Sequence, residues 1–343
     1  MRLTLVVPGL IWPPDSGQHP ARDLVLPGLA RMLGRGALRR APGADLHHWL
    51  AAAYGLAEGE TPWGALRLGG EGIDPGQATW MCMDPVHLRV LRDRFVVAGD
   101  DELALDAAEA ASLVASLDRE FAPRLRFSAT DPAHWYARIE GSPALLTQPL
   151  ARVLGRRPDP ALPRGPDARA WMRHVNDIQV ALHHHPVNEA REASGRLAIN
   201  SVWPWGCGRW PRIARRAADT VAAGEPLARG LALASGGRAI PLPANAGALP
   251  GAAGESVLVL LDTLHAPSLY RDAAAWRGRL AELGREWFDP LDEQVARGRI
   301  SRLALVGLSD EGCIELEYGR SARRRLWRSP LPLYALTLAR PQT

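Results

Sequence analysis

The sequence predicts an α/β protein, a doubly wound core that carries an inserted α+β segment, for three reasons. Three short apolar runs, LTLVVPGL (3–10), SVLVLLDTLH (256–265) and RLALVGLSDEG (302–312), each end in turn-forming residues. Continuous apolar runs of this length suit parallel strands covered on both faces, and their punctuation suggests a shared carboxyl edge. A helical pattern stands between the second and third runs, so strand, helix and strand make a crossover unit. The middle of the chain differs in texture, with short strands, an Ala-rich helix and a Pro-rich connector. The first and last parts therefore belong to one core, 1–79 with 206–343, and 80–205 is the insertion.

Within the core, Leu3–Val7 is the first buried strand. Between the late strands Leu269, Ala273, Trp276, Leu280, Leu283 and Trp287 recur at spacings of three and four, the period of one helix face. Ser268 is the expected N-cap, and Asp289-Pro290 the expected stop and start of a second helix. In the insertion, RFVVAG, LRFSA and HWYARIEG read as strands, with a helix over Leu105–Phe121 between the first two. The connector GRRPDPALPRGP (155–166) precedes a strong helix whose stripe is Trp171, Val175, Ile178 and Leu182, capped by Asp167 and stopped by Pro186. A short strand over Ala198–Trp203 then leads into a WPWGCG loop.

The 343 residues are 47% hydrophobic and 23% charged, the balance of a globular protein with a sizeable core. Nothing approaches the roughly 18 apolar residues of a membrane span, so no membrane association is expected. Three scattered cysteines, Cys82, Cys207 and Cys313, form no Cys-x-x-Cys pair, which fits a reducing cytoplasm and argues against a zinc ribbon. The net charge is +4, and all 41 basic residues are Arg. With 33 Gly and 29 Pro this is the bias of a GC-rich genome, so basicity alone says little about nucleic acid. One local cluster stands out: Arg320, Arg323, Arg324, Arg325 and Arg328 around Trp327. A hairpin is expected there, since IELEYG and RRLWRS flank a glycine, and alternation would spread its arginines over both faces.

Chemistry has few places to sit. Residues adjacent on a helix point about 100° apart, so His183, His184 and His185 cannot share one ion without unwinding. His174 and His184 are ten residues apart, about 15 Å of helix, so the run reads as a helix terminus. The glycines of WPWGCG permit close approach of a ligand or of chain, and Cys207 reads as an inert thiol. At the expected sheet edge Asp262, His265, Asp310 and Glu311 are candidate ligands. A two-metal site needs more carboxylates and imidazoles than this, so at most one divalent metal is expected and otherwise no cofactor.

HPVNEAREASGRLAIN (185–200), followed by a Gly-x-Gly segment, resembles the His-Pro-Val/Ile-Asn…Arg…Gly…Ala-Asn stretch of the archaeal-type cofactor-independent phosphoglycerate mutases. APGADLHHWLAAAYGL, GETPWGALRLGGEGI, DPVHLR, ADTVAAGEPLARGLALASGGRAIPLPANAG and LLDTLHAPSLYRD are similar, in order, to further segments of that family. The resemblance implies an alkaline-phosphatase-like core with an inserted α+β domain. The short VVPGL with HPVNEAR and the Trp-rich WPWG resembles a narrower group, the RpfE-type regulatory proteins. Departures from the mutase pattern are pronounced. Pro8-Gly9 stands where the family has a metal-binding Asp, and Ala44 of Pro42-Gly43-Ala44-Asp45 stands where it has the serine nucleophile. Leu308-Ser309 replaces an Asp-His pair, LWRSPLPL lacks a metal-binding His, and only Asp262 and His265 resemble surviving ligands.

A catalytic unit that loses one member forfeits most of its rate. The expectation is a degenerate mutase-like protein of the cytoplasm with a regulatory role, binding a small phosphorylated or carboxylated ligand or a protein partner, and not nucleic acid. Its ligand-binding candidates are Asp45, Arg89, Arg138, Asn188, Arg191, Asn200 and Arg209, the arginines suiting phosphate by bidentate geometry. The alternatives are an active phosphoryl-transfer enzyme with one metal on Asp262, His265 and Asp310, and a polyanion binder using Arg320–Arg328. Trp203, Trp205 and Trp210 are candidates for a partner surface or for the core.

Overall fold

The computed structural model describes residues 1–13, 18–57, 59–91, 94–154, 161–252 and 254–336. The first half of the Pro-rich connector, 155–160, lies outside them. Among the described residues the strands are β1 (Arg2–Pro8), β2 (Ala37–Ala41), β3 (Thr79–Leu91), β4 (Arg94–Ala98), β5 (Leu125–Asp131), β6 (His134–Ile139), β7 (Ser201–Gly208), β8 (Thr220–Ala223), β9 (Arg238–Ile240), β10 (Ser256–Leu260), β11 (Arg302–Leu308) and β12 (Cys313–Tyr318). The chain divides into two compact units, Met1–Tyr54 with Ile213–Thr343, and Gly55–Arg212. These divisions differ from 79/80 and 205/206. The helix Trp63–Gly70 belongs with the second unit, where Gly64 lies against the backbone of Met81 and Trp63 against Gly206.

The first unit is built on a seven-stranded sheet in the order β2-β12-β11-β1-β10-β8-β9. β1 is central and parallel to both β10 and β11, with Arg2 opposite Ser256 on one side and Arg302 on the other. Leu3, Leu5, Val257, Val259, Leu303 and Leu305 share one core with Leu29, Met32, Trp276, Leu280 and Leu291. Each such burial contributes on the order of 1.5–3 kcal/mol.

The long helical stretch departs from expectation at both ends. Asp272, not Ser268, caps Ala273–Leu283 by accepting the Ala275 N–H at 2.9 Å. Asp289-Pro290 does not stop the helix: a π turn, Gly284–Phe288, leads directly into Asp289–Ala296. Pro290 falls in the first turn of that last segment, where its missing N–H costs little. Trp276, Leu280, Leu283 and Trp287 all remain buried.

No Arg-rich hairpin forms after β12. That strand is already paired on both sides, with β11 and β2, and Gly319 opens a short helix, Arg320–Arg323. Asp292, 1% exposed, anchors this turn. It accepts from Tyr318 Oη at 2.6 Å and Arg323 Nε at 3.0 Å, and also pairs with Arg31.

In the second unit the 13-residue β3 is shared by β6 at its start, β4 at its end and β7 along its length. Helices Ala107–Phe121 and Ala168–His183 bury Leu113, Leu117, Trp171 and Ile178 with Met81, Phe127 and Trp135. Asp106 starts the first with a full capping box. Asp167 does not cap the second; its carboxylate accepts the Ala144 N–H at 2.7 Å instead. Pro186 is the first residue of a following helix, Pro186–Ala193, whose N-cap is His185 through Nδ1 and the Val187 N–H. The WPWGCG segment is no loop: it is most of β7. Pro204 is tolerated there because β7 pairs on one side only, with β3.

Candidate functional site

The carboxyl ends of β1, β10 and β11 converge in the first unit, the position at which parallel sheets present ligands to chemistry. β1 leaves through Gly9 at φ +75°, donating its N–H to Leu308 O at 2.9 Å and accepting from Trp276 Nε1 at 2.7 Å. A Cβ on Gly9 would collide with the carbonyl of Leu264. At position 9 itself there is therefore no acidic side chain and no room for one.

Beside it, the 42–45 loop lies on the turn after β11. The Ala44 N–H donates to Ser309 O at 3.1 Å, and a Cβ on Gly43 would collide with Asp310 O. The Cys313 thiol donates to Ser309 O at 3.7 Å and Ala44 O at 3.8 Å. Asp45 accepts the His48 N–H at 2.8 Å at the start of the helix Leu46–Tyr54, with His47 Nδ1 at 4.0 Å. After β10, the His265 N–H closes a turn on Asp262 O at 2.8 Å. Burial raises the Asp262 carboxyl above its ordinary range, and the neighbouring His265 opposes this. Burial lowers His265, against the pull of Asp310, Asp262 and Asp45.

These residues do not fit a metal centre. Among the described residues no group of three or more His, Cys, Asp and Glu side chains is placed to hold an ion. Asp45 is engaged at a helix start, and the exits of β1 and β11, Pro8-Gly9 and Leu308-Ser309, supply no ligand.

The ligand candidates of the second unit fall into two groups. Asn188 and Arg191, expected at a ligand, are buried and hold the fold. The Asn188 amide donates to Leu182 O and Ile199 O at 2.8 Å and accepts the Ile199 N–H at 2.7 Å. Arg191, 0% exposed, donates to Leu197 O at 2.8 Å, Glu109 at 2.5 Å and Leu103 O. Asn200 bridges both backbone groups of Leu88. The HPVN…AIN stretch thus works as an internal staple, because its polar side chains satisfy backbone groups that helix ends and strand edges leave open. Arg89 pairs with Glu102 at 2.6 Å, whereas Arg138 and Arg209 are exposed. Burial pushes the Cys207 thiol up to about 12, which leaves it protonated and inert.

Sequence reasoning missed the most connected polar cluster. Arg67 and Asp84, each about 3% exposed, form a two-pronged pair at 2.9 and 2.5 Å. Trp205 Nε1 donates to Asp84 at 2.7 Å and Arg67 Nε to Tyr136 Oη at 2.9 Å. Tyr136 donates in turn to Glu71, which also meets His134 Nδ1, both at 2.7 Å. The signal was an Arg in the apolar helix WGALRLGG and an Asp in the apolar strand TWMCMDP, charges that stay ionised in a core only when paired.

No family model matches the chain. Part of it is similar to the 2,3-bisphosphoglycerate-independent phosphoglycerate mutases of Methanosarcina acetivorans, 38% identical over 61 residues or 18% of this chain, and of Methanothrix thermoacetophila, 29% over 102 residues or 28%. The chain spans 15% and 26% of the length of these two curated relatives. Among solved structures it is similar to a cofactor-independent phosphoglycerate mutase from Thermoplasma acidophilum, with a TM-score of 0.50 and 16% identity over 99% of this chain and 95% of that one. A Pyrococcus horikoshii protein gives a TM-score of 0.60 at 14% identity, covering 92% and 87%. The fold is thus the mixed α/β fold of these solved neighbours, and part of the chain is similar in sequence to cofactor-independent phosphoglycerate mutases.

Proposed function

We propose that this chain is a catalytically degenerate phosphoglycerate-mutase-like protein of the RpfE-type regulatory kind. It keeps the doubly wound scaffold and binds a small anion or a protein partner in place of turnover. Ala44 carries the reading. It stands on the loop that meets the turn after β11, where the resemblance places a serine nucleophile, and its methyl group cannot be phosphorylated. The lack of an acid and of space at Gly9 supports the same reading.

The test is turnover of 3-phosphoglycerate by the full chain with manganese, zinc, cobalt or magnesium, alongside Ala44→Ser. Turnover indistinguishable from buffer in the unaltered chain is expected. Metal-dependent turnover to which Ala44→Ser adds nothing would overturn the reading. A remodelled phosphoryl-transfer enzyme is favoured by one observation, the buried His265 after β10, on which the charges of Asp310, Asp262 and Asp45 act. That reading requires Asp262→Ala to abolish activity and lower the metal content.

A further inference from the structure

At the opposite, amino-terminal edge of the large sheet lies a trough of about 500 Å³, within the range of small-molecule sites. Arg2, Arg216, Arg302 and Asp219 wall it, and Thr4 and Ala304 lie along it. Its shape follows from the strands. On one face of β1 and β11 the residues nearest the amino end are Arg2 and Thr4, and Arg302 and Ala304. These alternate with Leu3, Leu5, Leu303 and Leu305 on the other face. Thr4 and Ala304 are short and only half-buried, so the face is hollow there.

The charges do not serve the sheet. Arg2 and Arg302 are register partners on adjacent parallel strands, about 4.8 Å apart, and like charges placed so repel. Arg302 is compensated by Glu317. Arg216 lies 3.6 Å from Asp219 and donates to Gly236 O at 2.7 Å. Asp219 itself accepts from Ser256 N at 2.9 Å and Oγ at 2.6 Å, which hold its carboxyl below the ordinary range. Among the described residues the Arg2 guanidinium donates no hydrogen bond. Asp219 feels both Arg216 and Arg2, so three guanidiniums share two carboxylates, one of them outside the trough wall, and positive charge is in excess.

We infer that this trough binds a phosphorylated small molecule carrying at least two negative charges, with Arg2 and Arg302 as its principal contacts and the Thr4 hydroxyl beside them. Guanidinium forks match phosphoryl oxygens in pairs. The site uses neither the carboxyl edge nor the second unit, so it stands apart from the proposed function.

The test is calorimetric titration of the full chain with inorganic pyrophosphate at low ionic strength. One site is expected, weakened at least tenfold in Arg2→Gln/Arg302→Gln and unchanged in Arg279→Gln, a control on an exposed helix face. In the unaltered chain the Nε–Hε NMR signals of Arg2 and Arg302 are expected to shift on saturation, a readout that stands even if the double variant misfolds. Unchanged affinity in a folded double variant, or shifts confined to arginines outside the trough, would overturn the inference. So would the lack of any saturable binding.

Discussion

At the scale of single residues, the buried charges of the second unit are held by partners within the fold. The same guanidinium that recognises phosphate also caps carbonyls and closes ion pairs in a core, and burial decides which. Arg191 and Arg67 are spent inside; Arg138 and Arg209 are not buried. His134 and Glu71 tie this network to pH. Burial lowers His134, but the hydrogen bond to Glu71 and the charges of Asp84 and Glu71 together outweigh it, so its pKa ends above the ordinary 6.5. Burial raises Glu71, but hydrogen bonds from His134, Thr130 and Tyr136 prevail and leave it below 4.5. Arg67 opposes the His134 charge, and Asp84 favours it. The His134 contribution is complete below its unfolded pKa and is lost as pH rises through the higher folded value. That of Glu71 is complete above its unfolded pKa and is lost as pH falls through the lower folded value. Urea unfolding is therefore expected to show this pair at full strength between about pH 4.5 and 6.5 and weakening towards alkaline pH. His134→Gln should flatten the alkaline limb; an unchanged pH profile would contradict the assignment.

At the scale of elements, the apolar strands were legible because their residues obey one period. LTLVV, SVLVL and RLALVGL become β1, β10 and β11, side by side and parallel. Likewise Trp171, Val175, Ile178 and Leu182 mark a helix face that stays buried. What misled were residues with more than one way to satisfy a bond. Asp167 caps another segment's amide, Pro290 sits where a π turn passes it, and Pro204 lies in a strand that needs no second neighbour. None of these choices is local, so no local pattern reports them. The WPWGCG strand gives a sharp check. Gly206 has φ +66°, and a Cβ there would collide with Trp63, so Gly206→Ala is expected to cost about 1–3 kcal/mol from backbone strain alone, more with the clash. Thermal unfolding reads this directly, and a variant as stable as the parent would mean the close approach of the two segments is wrong.

At the scale of the whole molecule, likeness of fold reaches further than likeness of sequence. Similarity of fold extends over 99% of the chain at 16% identity, as expected when a pattern of buried positions is kept while individual residues drift. Ala44 and Pro8-Gly9 were legible as departures from the pattern the chain resembles. Their meaning was not, because only the structure brings Gly9, Ala44, Ser309 and His265 to one edge and gives the space around each. The polar staple at Asn188 and Arg191 was legible as a motif, but its internal bonds were not, since burial is a property of the fold. The amino-edge trough had no motif, because Arg2 and Arg302 are 300 positions apart and meet only through strand register.

The most direct test of the degenerate reading is metal content by elemental mass spectrometry, on untagged protein purified without chelators and then offered manganese and zinc. The account predicts near-zero occupancy after desalting. Two tightly held ions per chain would contradict it and return the carboxyl edge to phosphoryl transfer.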